Sequence, residues 1–490
     1  MTDSNLTQLA VVRETTLGTT PNTPRMRLFE FTDESLKFVP NFVQSQGIRS
    51  DRMNSDPIKV GETNSGGISF ELQYPDNDGP ISDIIRLACM KAWTNTNERY
   101  NDGTADSVIT GVATSGEVVT VTTGTAFIAK QLVKLSGFGV SGNNGVFKCT
   151  TGSATVPAFV GAGLTDEAAP AAQAKMKVVG VRAIANDLAF AATTITSAAD
   201  ISDFSAFLAV GQWVKISGCT DQTTNNVWAR VQAIAGAVVT FDNIGTSSGS
   251  FTVESAEAGV VSIWFGDYIR NGTTLPKDGN MSLSIERGFL AQATPTYIVQ
   301  TGMAIDELTF NITKKQVIKC TVSFMGMSGS QSTTALDASP DAISSNAIMS
   351  GSVNVARVSE SGSRLTSPNW SDSVTISIKN NLRMIESVDS VSAVSIGVGE
   401  NMNTGTVSTY FGSNTLLAKL LAGTVGNLNS RIEKNSQAVI ITLPRLTFTD
   451  GSPNAGGKNQ DVMLPLQFQA SKDTTYTNAQ IQFDRLPFYQ

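Results

Sequence analysis

Histidine occurs nowhere in the 490 residues. Its absence removes Ser-His-Asp and Cys-His catalysis, imidazole-ligated metals and imidazole acid–base chemistry. Carboxylate-only and lysine-based enzymes are what remains of the catalytic repertoire. Cysteine is scarce: Cys89, Cys149, Cys219 and Cys320 lie far apart with no CxxC spacing. A disulfide framework needs a denser pattern, so synthesis in a reducing compartment is the natural reading. Charged residues are only 16% of the chain, and the formal net charge is -7. An acidic chain repels phosphate and is a poor partner for a nucleic-acid backbone. The start, Met1-Thr2-Asp3-Ser4-Asn5, has no basic stretch followed by an apolar one, and no apolar run is long enough to span a bilayer. The expectation is a chain with neither signal peptide nor membrane insertion.

What the chain does have is the composition of turn-rich β-structure. Hydrophobic residues make up 41%, enough for real cores, and Gly, Ser, Thr, Asn, Val and Ala dominate. The length points to two to four domains. Val133-Lys134-Leu135-Ser136-Gly137 matches Val214-Lys215-Ile216-Ser217-Gly218 at an offset of 81 (214 − 133), and Asn143-Asn144 matches Asn225-Asn226. These matches define two small inserted β modules, 104–183 and 184–262, each expected to have a small core.

A second, longer-range repeat encloses them. Ile58-Lys59-Val60-Gly61-Glu62 followed by Gly67 matches Ile396-Gly397-Val398-Gly399-Glu400 followed by Gly405, an offset of 338 (396 − 58). A short amphipathic helix follows each copy, with Ile81, Ile84, Ile85 and Ala88 on one face in the first and Leu416, Leu417, Leu420 and Leu421 in the second. Leu308-Thr309-Phe310 recurs as Leu446-Thr447-Phe448. The alternation Ile318, Cys320, Val322, Phe324 recurs as Val462, Leu464, Leu466, Phe468. Period-2 alternation packs one face of a strand and leaves the other open. The chain therefore divides into a first domain at 1–103 and 263–338, the two modules inserted into it, and a second domain at 339–490. The fold class is mainly β: two duplicated domains with a flanking helix each.

Apparent sites have simpler readings. Gly137-Phe138-Gly139-Val140-Ser141-Gly142 fits a dinucleotide fingerprint, but Asn143-Asn144-Gly145-Val146 reads as a turn and strand where the motif needs a helix. Asp76-Asn77-Asp78-Gly79 lacks the calcium-loop spacing and terminal Glu. Glu62 and Glu400 occupy matching places in two hairpins, which argues against distinct acid and base roles. Trp213, Trp228 and Trp264, at strand positions beside Val and Ile, read as core. No catalytic, cofactor or metal site is expected.

Several stretches resemble the tail tube (major tail) proteins of long-tailed bacteriophages. They are Gln8–Pro21, Ser45–Arg52, Arg270-Asn271-Gly272, Ser284–Phe289, Leu443–Phe448 and Gly456–Val462, taken in order. The resemblance implies that each of the two duplicated domains is a β-sandwich with a flanking helix, and that the chain is a structural subunit, not an enzyme, whose inner sheets join edge to edge around a DNA channel. It implies a homo-oligomer, a trimer with pseudo-sixfold symmetry because the domain is duplicated, or otherwise a hexamer. It implies stacking into a tube, with the tape measure protein and genomic DNA in the lumen without specific binding and tail terminator and tail tip proteins at the ends. The subunit would be assembled in the bacterial host cytoplasm and reside in the virion tail. On this reading Met1–Arg27 is an arm. Segment Gly47–Asn64 is a stacking loop whose Arg49, Asp51, Arg52, Asp56 and Lys59 contact the next ring. Glu71 and Asp461 line an acidic lumen. The competing readings are a capsid decoration protein, a host- or glycan-binding adhesin built on the β modules, and a carboxylate-only hydrolase.

Overall fold

The computed structural model describes residues 3–51, 53–101, 108–122, 124–272 and 281–490. The first repeat contains strands β1 (Thr7–Arg13), β2 (Lys37–Val43) and β3 (Ile58–Glu71) and helix α1 (Pro80–Ala88). After the insert come β4 (Ser282–Phe289), β5 (Thr296–Thr313), β6 (Lys319–Gly326) and β7 (Ser328–Ser332). The second repeat contains β8 (Val355–Glu360), β9 (Ser371–Lys379), β10 (Met402–Tyr410), α2 (Thr415–Leu421), β11 (Val425–Lys434), β12 (Gln437–Asp450), β13 (Met463–Ala470) and β14 (Gln482–Leu486).

Each repeat is a sandwich of two sheets sharing one long strand. The N-terminal half of β5 pairs with β4 and β7, and β1 extends that outer sheet beside β4. The C-terminal half of β5 pairs with β6, which is followed by β3 and β2 in the inner sheet. Bulges at Leu283/Ile285 and Ile305/Glu307 bend the ladder where β5 passes from one sheet to the other. The second repeat does the same with β12, bulged at Gly426/Leu428 and Phe448/Asp450.

These bulges fix the correspondence between repeats. Leu283 pairs with Met303 as Gly426 pairs with Leu446, so the offset there is 143 (426 − 283 and 446 − 303). Gly66 lies opposite Phe324 as Gly405 lies opposite Phe468, an offset of 339 (405 − 66). The duplication is real, but two sequence matches are out of register. Leu446 is the counterpart of Met303, not of Leu308, and Gly405 that of Gly66, not of Gly67. Ile58–Glu62 runs within β3, whereas Ile396-Gly397 belongs to a separate small hairpin and Glu400 to a loop.

Alternation builds the core. In β6 Cys320, Val322 and Phe324 are buried while Lys319 and Thr321 are exposed; in β13 Leu464, Leu466 and Phe468 are buried while Pro465, Gln467 and Gln469 are exposed. Helix α1 starts at Pro80 after Gly79, a favourable first-turn position for proline, and buries Ile81, Ile84, Ile85, Leu87 and Ala88. Each large side chain there contributes about 1.5–3 kcal/mol. Asp83 in its first turn receives Arg13 at 3.1 Å and Arg27 at 3.0 Å. Helix α2 is shorter and shallower. Leu416 is buried and Leu417 and Leu420 pack against the core, but Leu421 is 80% exposed, contrary to the four-leucine face expected.

Two further expectations change. The N-terminal segment is not a free arm from residue 7 onward. Leu9, Ala10, Val11 and Val12 form a strand buried on both sides, as a continuous apolar run requires. The buried Glu14 then ties the following turn down, accepting from Ser284 Oγ at 2.8 Å, Gly302 N at 2.9 Å and Gly18 N at 2.7 Å. The inserted modules do not have separate cores either. The strand Ser262–Trp264 pairs with Lys175–Arg182 on one side and Trp213–Ser217 on the other, making one ten-stranded sheet over a shared core.

The insert leaves the chain within the first repeat but docks on the second. Trp213, Trp228 and Trp264 pack with Ala438, Ile440 and Leu486 of β12 and β14. Trp213 Nε1 donates to Thr442 Oγ1 at 2.9 Å. Phe488 and Tyr489 stack edge-on against Trp264 and Trp228. A buried guanidinium ties these parts together: Arg485 on β14 meets Asp267 at 2.9 Å and donates to Pro75 O and Ser82 Oγ, while Lys177 of the insert reaches the same Asp267 at 2.9 Å.

Candidate functional site

The inner sheets of the two repeats are joined inside the chain. The C-terminal half of β5 pairs antiparallel with β9 over seven residue pairs, from Glu307 opposite Lys379 to Thr313 opposite Ser373. Leu308, Phe310 and Ile312 meet Ile378, Ile376 and Val374 in the core. The result is one eight-stranded sheet in the order β2–β3–β6–β5–β9–β10–β13–β12.

The face of this sheet away from the core is lined with short polar side chains. One continuous line crosses the strands through Ser69, Thr321, Thr309, Ser377, Thr404, Gln469 and Thr447, each opposite the next. A parallel line runs through Glu71, Lys319, Asn311, Thr375, Thr406 and Gln467. Hydroxyls bridge the joint: Thr309 Oγ1 donates to Ser377 Oγ at 3.3 Å, and Ser377 Oγ to Glu307 Oε1 at 2.5 Å. Alternation of Ser and Thr with apolar residues carries this signal in the sequence. The sequence reading expected acidic and small polar side chains on such a face but named only acids, and did not place the hydroxyl lines.

Among the described residues, the edges at the two ends of the sheet lack the partner that the internal joint provides. Lys37–Val43 is largely exposed along its length, and Thr449-Asp450 is exposed at the end of β12. Lys37 and Pro40 on β2 are typical of a strand edge guarded against random pairing. Carrying the internal register over, Glu307 corresponds to Asp450 and Lys379 to Val39, because Lys379 lies opposite Met402 as Val39 lies opposite Thr63.

The β2–β3 hairpin carries the charges singled out in the sequence. Arg49 and Asp51 pair with each other at 2.5 Å in the exposed loop, and Arg49 holds the Asp51 carboxyl below its ordinary range. Arg52 lies outside the described residues. Asp56 is exposed. Lys59 reaches Glu62 at 2.6 Å, and Glu62 also accepts from Ser392 Oγ at 3.1 Å in the equivalent connection of the second repeat. Phe42, Val43, Ile48, Met53, Ile58 and Val60 are exposed along the same hairpin. Glu71 lies on the polar face opposite Lys319, and Asp461 is exposed in the loop before β13.

The arrangement offers surfaces for strand pairing. The four thiols are buried, and burial pushes Cys149 up to about 11 and Cys219 to about 12, far from thiolate formation at neutral pH. The 137–142 glycine motif leads into a single 3-10 turn and then a strand, with no phosphate-binding helix. No curated protein matches the chain. A family model described as phage tail tube protein matches residues 4–219 and 228–470, nearly the whole length. An edge-open, duplicated sandwich matched over that span is a structural component of a virion tail, and the chain belongs to the phage tail tube protein family.

Proposed function

We propose that three copies of this chain close into a ring and that rings stack into the hollow conduit through which the phage genome leaves. The observation that carries this reading is the β5–β9 joint. One chain already pairs the inner sheet of one repeat with that of the next, and the counterparts of those edges, β2 at one end and Asp450 with the segment after it at the other, lie at the two ends of its sheet. Repeating the joint between chains puts the end of β12 against β2 of the neighbour. Eight strands per chain then make a closed barrel of twenty-four in a ring of three, and closure removes every edge. The hydroxyl-lined face turns inward. Its two lysines, Lys319 and Lys379, stand opposite Glu71 and Glu307, so it gives passing DNA no continuous cationic track, and the acidic balance of the chain repels phosphate. The chain catalyses nothing on this reading.

The exposed apolar residues of the β2–β3 hairpin, Ile48 and Met53 above all, form a surface of the kind that marks protein contacts. With the Arg49–Asp51 pair, Arg52, Asp56 and Lys59 they touch the adjoining ring. The insert, docked on the outer sheet of the second repeat, stands outside the tube. The tape measure protein fills the lumen before DNA does, and terminator and tip proteins close the ends. Assembly proceeds in the bacterial cytoplasm.

The test is a cross-link. Val39→Cys combined with Asp450→Cys places thiols opposite each other across the proposed joint, within disulfide reach for facing antiparallel residues. Oxidised tubes are expected to yield a covalent ring of three chains on a non-reducing gel, and each single variant none. Tubes that assemble but never cross-link contradict this pairing.

A further inference from the structure

The inserted sheet holds a group of acids that tube building does not use. Asp221, Glu254 and Glu257 each bring a carboxylate oxygen within 4.8 Å of the others. Glu257 is completely buried. Its Oε1 is saturated, accepting from the backbone N–H groups of Thr220 at 2.7 Å, Gly259 at 2.8 Å and Asp221 at 3.2 Å, and from the Thr220 hydroxyl at 2.8 Å. Its Oε2 is buried with no hydrogen-bond partner among the described residues, and so is Oε2 of Glu254. Lys215, on the adjoining strand, gives its ammonium to the Asn226 carbonyl at 2.8 Å instead.

The sister module shows what this loop looks like without the extra acids. Thr165 and Thr252 donate their backbone N–H to Asn143 at 2.9 Å and Asn225 at 2.8 Å, and each asparagine donates back to the same threonine's carbonyl at 3.0 Å. Two residues further on stand Glu167 and Glu254. Glu167 is neutralised by donors: Gly139 N at 2.8 Å, Asn143 Nδ2 at 2.9 Å and Val140 N at 3.3 Å. In the second module Asp221 stands at the place of Val140, and Glu257 has taken the loop's backbone amides. One scaffold therefore carries one satisfied carboxylate in the first module. In the second it carries three carboxylates and two orphaned buried oxygens.

We propose that Asp221, Glu254 and Glu257 bind a divalent hard cation, calcium by preference, which clips the loop after Ser217 to the segment before Ser262. All-oxygen, all-carboxylate ligation excludes the softer metals. Calcium accepts six to eight oxygens at about 2.3–2.6 Å in a flexible shell, which suits a partly buried trio of carboxylates, whereas magnesium at about 2.1 Å demands a near-ideal octahedron. The exposed Asp221 leaves one side open for the waters that complete the shell.

The experiment is equilibrium dialysis of the full chain against radioactive calcium after stripping with EDTA. One ion per chain is expected, with half-saturation between about 10⁻⁵ and 10⁻³ M. Glu254→Gln is expected to abolish it. Asp221→Asn, at the exposed rim, leaves the Glu257 amide contacts in place and is expected to weaken binding at least about tenfold at unchanged circular dichroism. Glu167→Gln in the sister module is expected to leave the stoichiometry at one. No calcium bound at millimolar concentration, or binding that survives both Glu254→Gln and Asp221→Asn, overturns the proposal.

Discussion

Thr309 and Ser377 meet hydroxyl to hydroxyl, 3.3 Å apart, across the line where the first repeat joins the second. The contact is small, but it stands in the middle of an unbroken polar line spanning the inner sheet. That line joins two requirements in one set of residues. Behind it, Leu308 and Ile378 seal the core; in front of it, hydroxyl and amide side chains face the open side, with Glu307 opposite Lys379 and Glu71 opposite Lys319.

A charged version of this surface should grip DNA. In tubes carrying Thr309→Lys with Ser377→Lys, assembly is expected to persist, because neither side chain is in the core. DNA retention is expected to appear where the parent tubes show none, and to fall steeply with salt as counterions compete. Filter binding across a salt series checks this. Equal retention by both tubes would mean that this face is not the lumen.

Arg485 is the buried tie between β14, α1 and the strand at Asp267. Replacing it by methionine leaves Asp267 with Lys177 as its remaining ion pair, and loss of one member of a buried ionic group costs about 3–5 kcal/mol. The denaturation midpoint is expected to fall accordingly. Asp267 also predicts the acid side. Burial pulls its pKa up, but Lys177 and Arg485 outweigh that and hold it down at about 2. A depressed folded pKa contributes stability above the unfolded value of about 3.9 and loses it as pH falls through about 2. The acid limb of the stability profile is expected in that window, and Asp267→Asn is expected to shrink it.

Asp484 runs the other way. Burial pushes its pKa up to about 7, against the opposing pull of Gln482, the Trp213 amide, Arg270 and Arg230. A folded carboxyl that keeps a proton the unfolded chain releases is stabilising below about pH 4, and that contribution drains away as pH rises toward 7. Asp484→Asn retains an acceptor for Trp213 N and is expected to flatten this decline. Melting temperatures between pH 4 and 8 compare the two chains; parallel profiles would show that Asp484 is ionised throughout.

Much of the fold was legible. Alternation in Cys320-Val322-Phe324 and Leu464-Leu466-Phe468 marked strands with one open face, and the order of elements exposed the duplication. Register was not legible. A match such as Leu308-Thr309-Phe310 with Leu446-Thr447-Phe448 looks convincing because period-2 patterns agree with many shifted copies of themselves. The bulges at Ile305/Glu307 and Phe448/Asp450, which set the true offset, have no fixed residue signature. The shared core of the insert was hidden for a related reason: Ser262–Trp264 is three residues long, too short to read as the strand that zips two modules together. The acids of the second module went unnoticed because Asp221 is far in sequence from Glu254 and Glu257. The spacing of those two and the aspartate at the place of Val140 were the available signals.

The most direct test of the account is the symmetry of the assembled tube seen end-on by electron microscopy. Each chain has two tube repeats and one insert, so class averages are expected to show a hollow ring with six inner lobes and three outward projections. Six projections would mean six chains per ring and would contradict the pairing of both repeats of one chain within a single ring; a solid particle or a closed shell would contradict the tube itself.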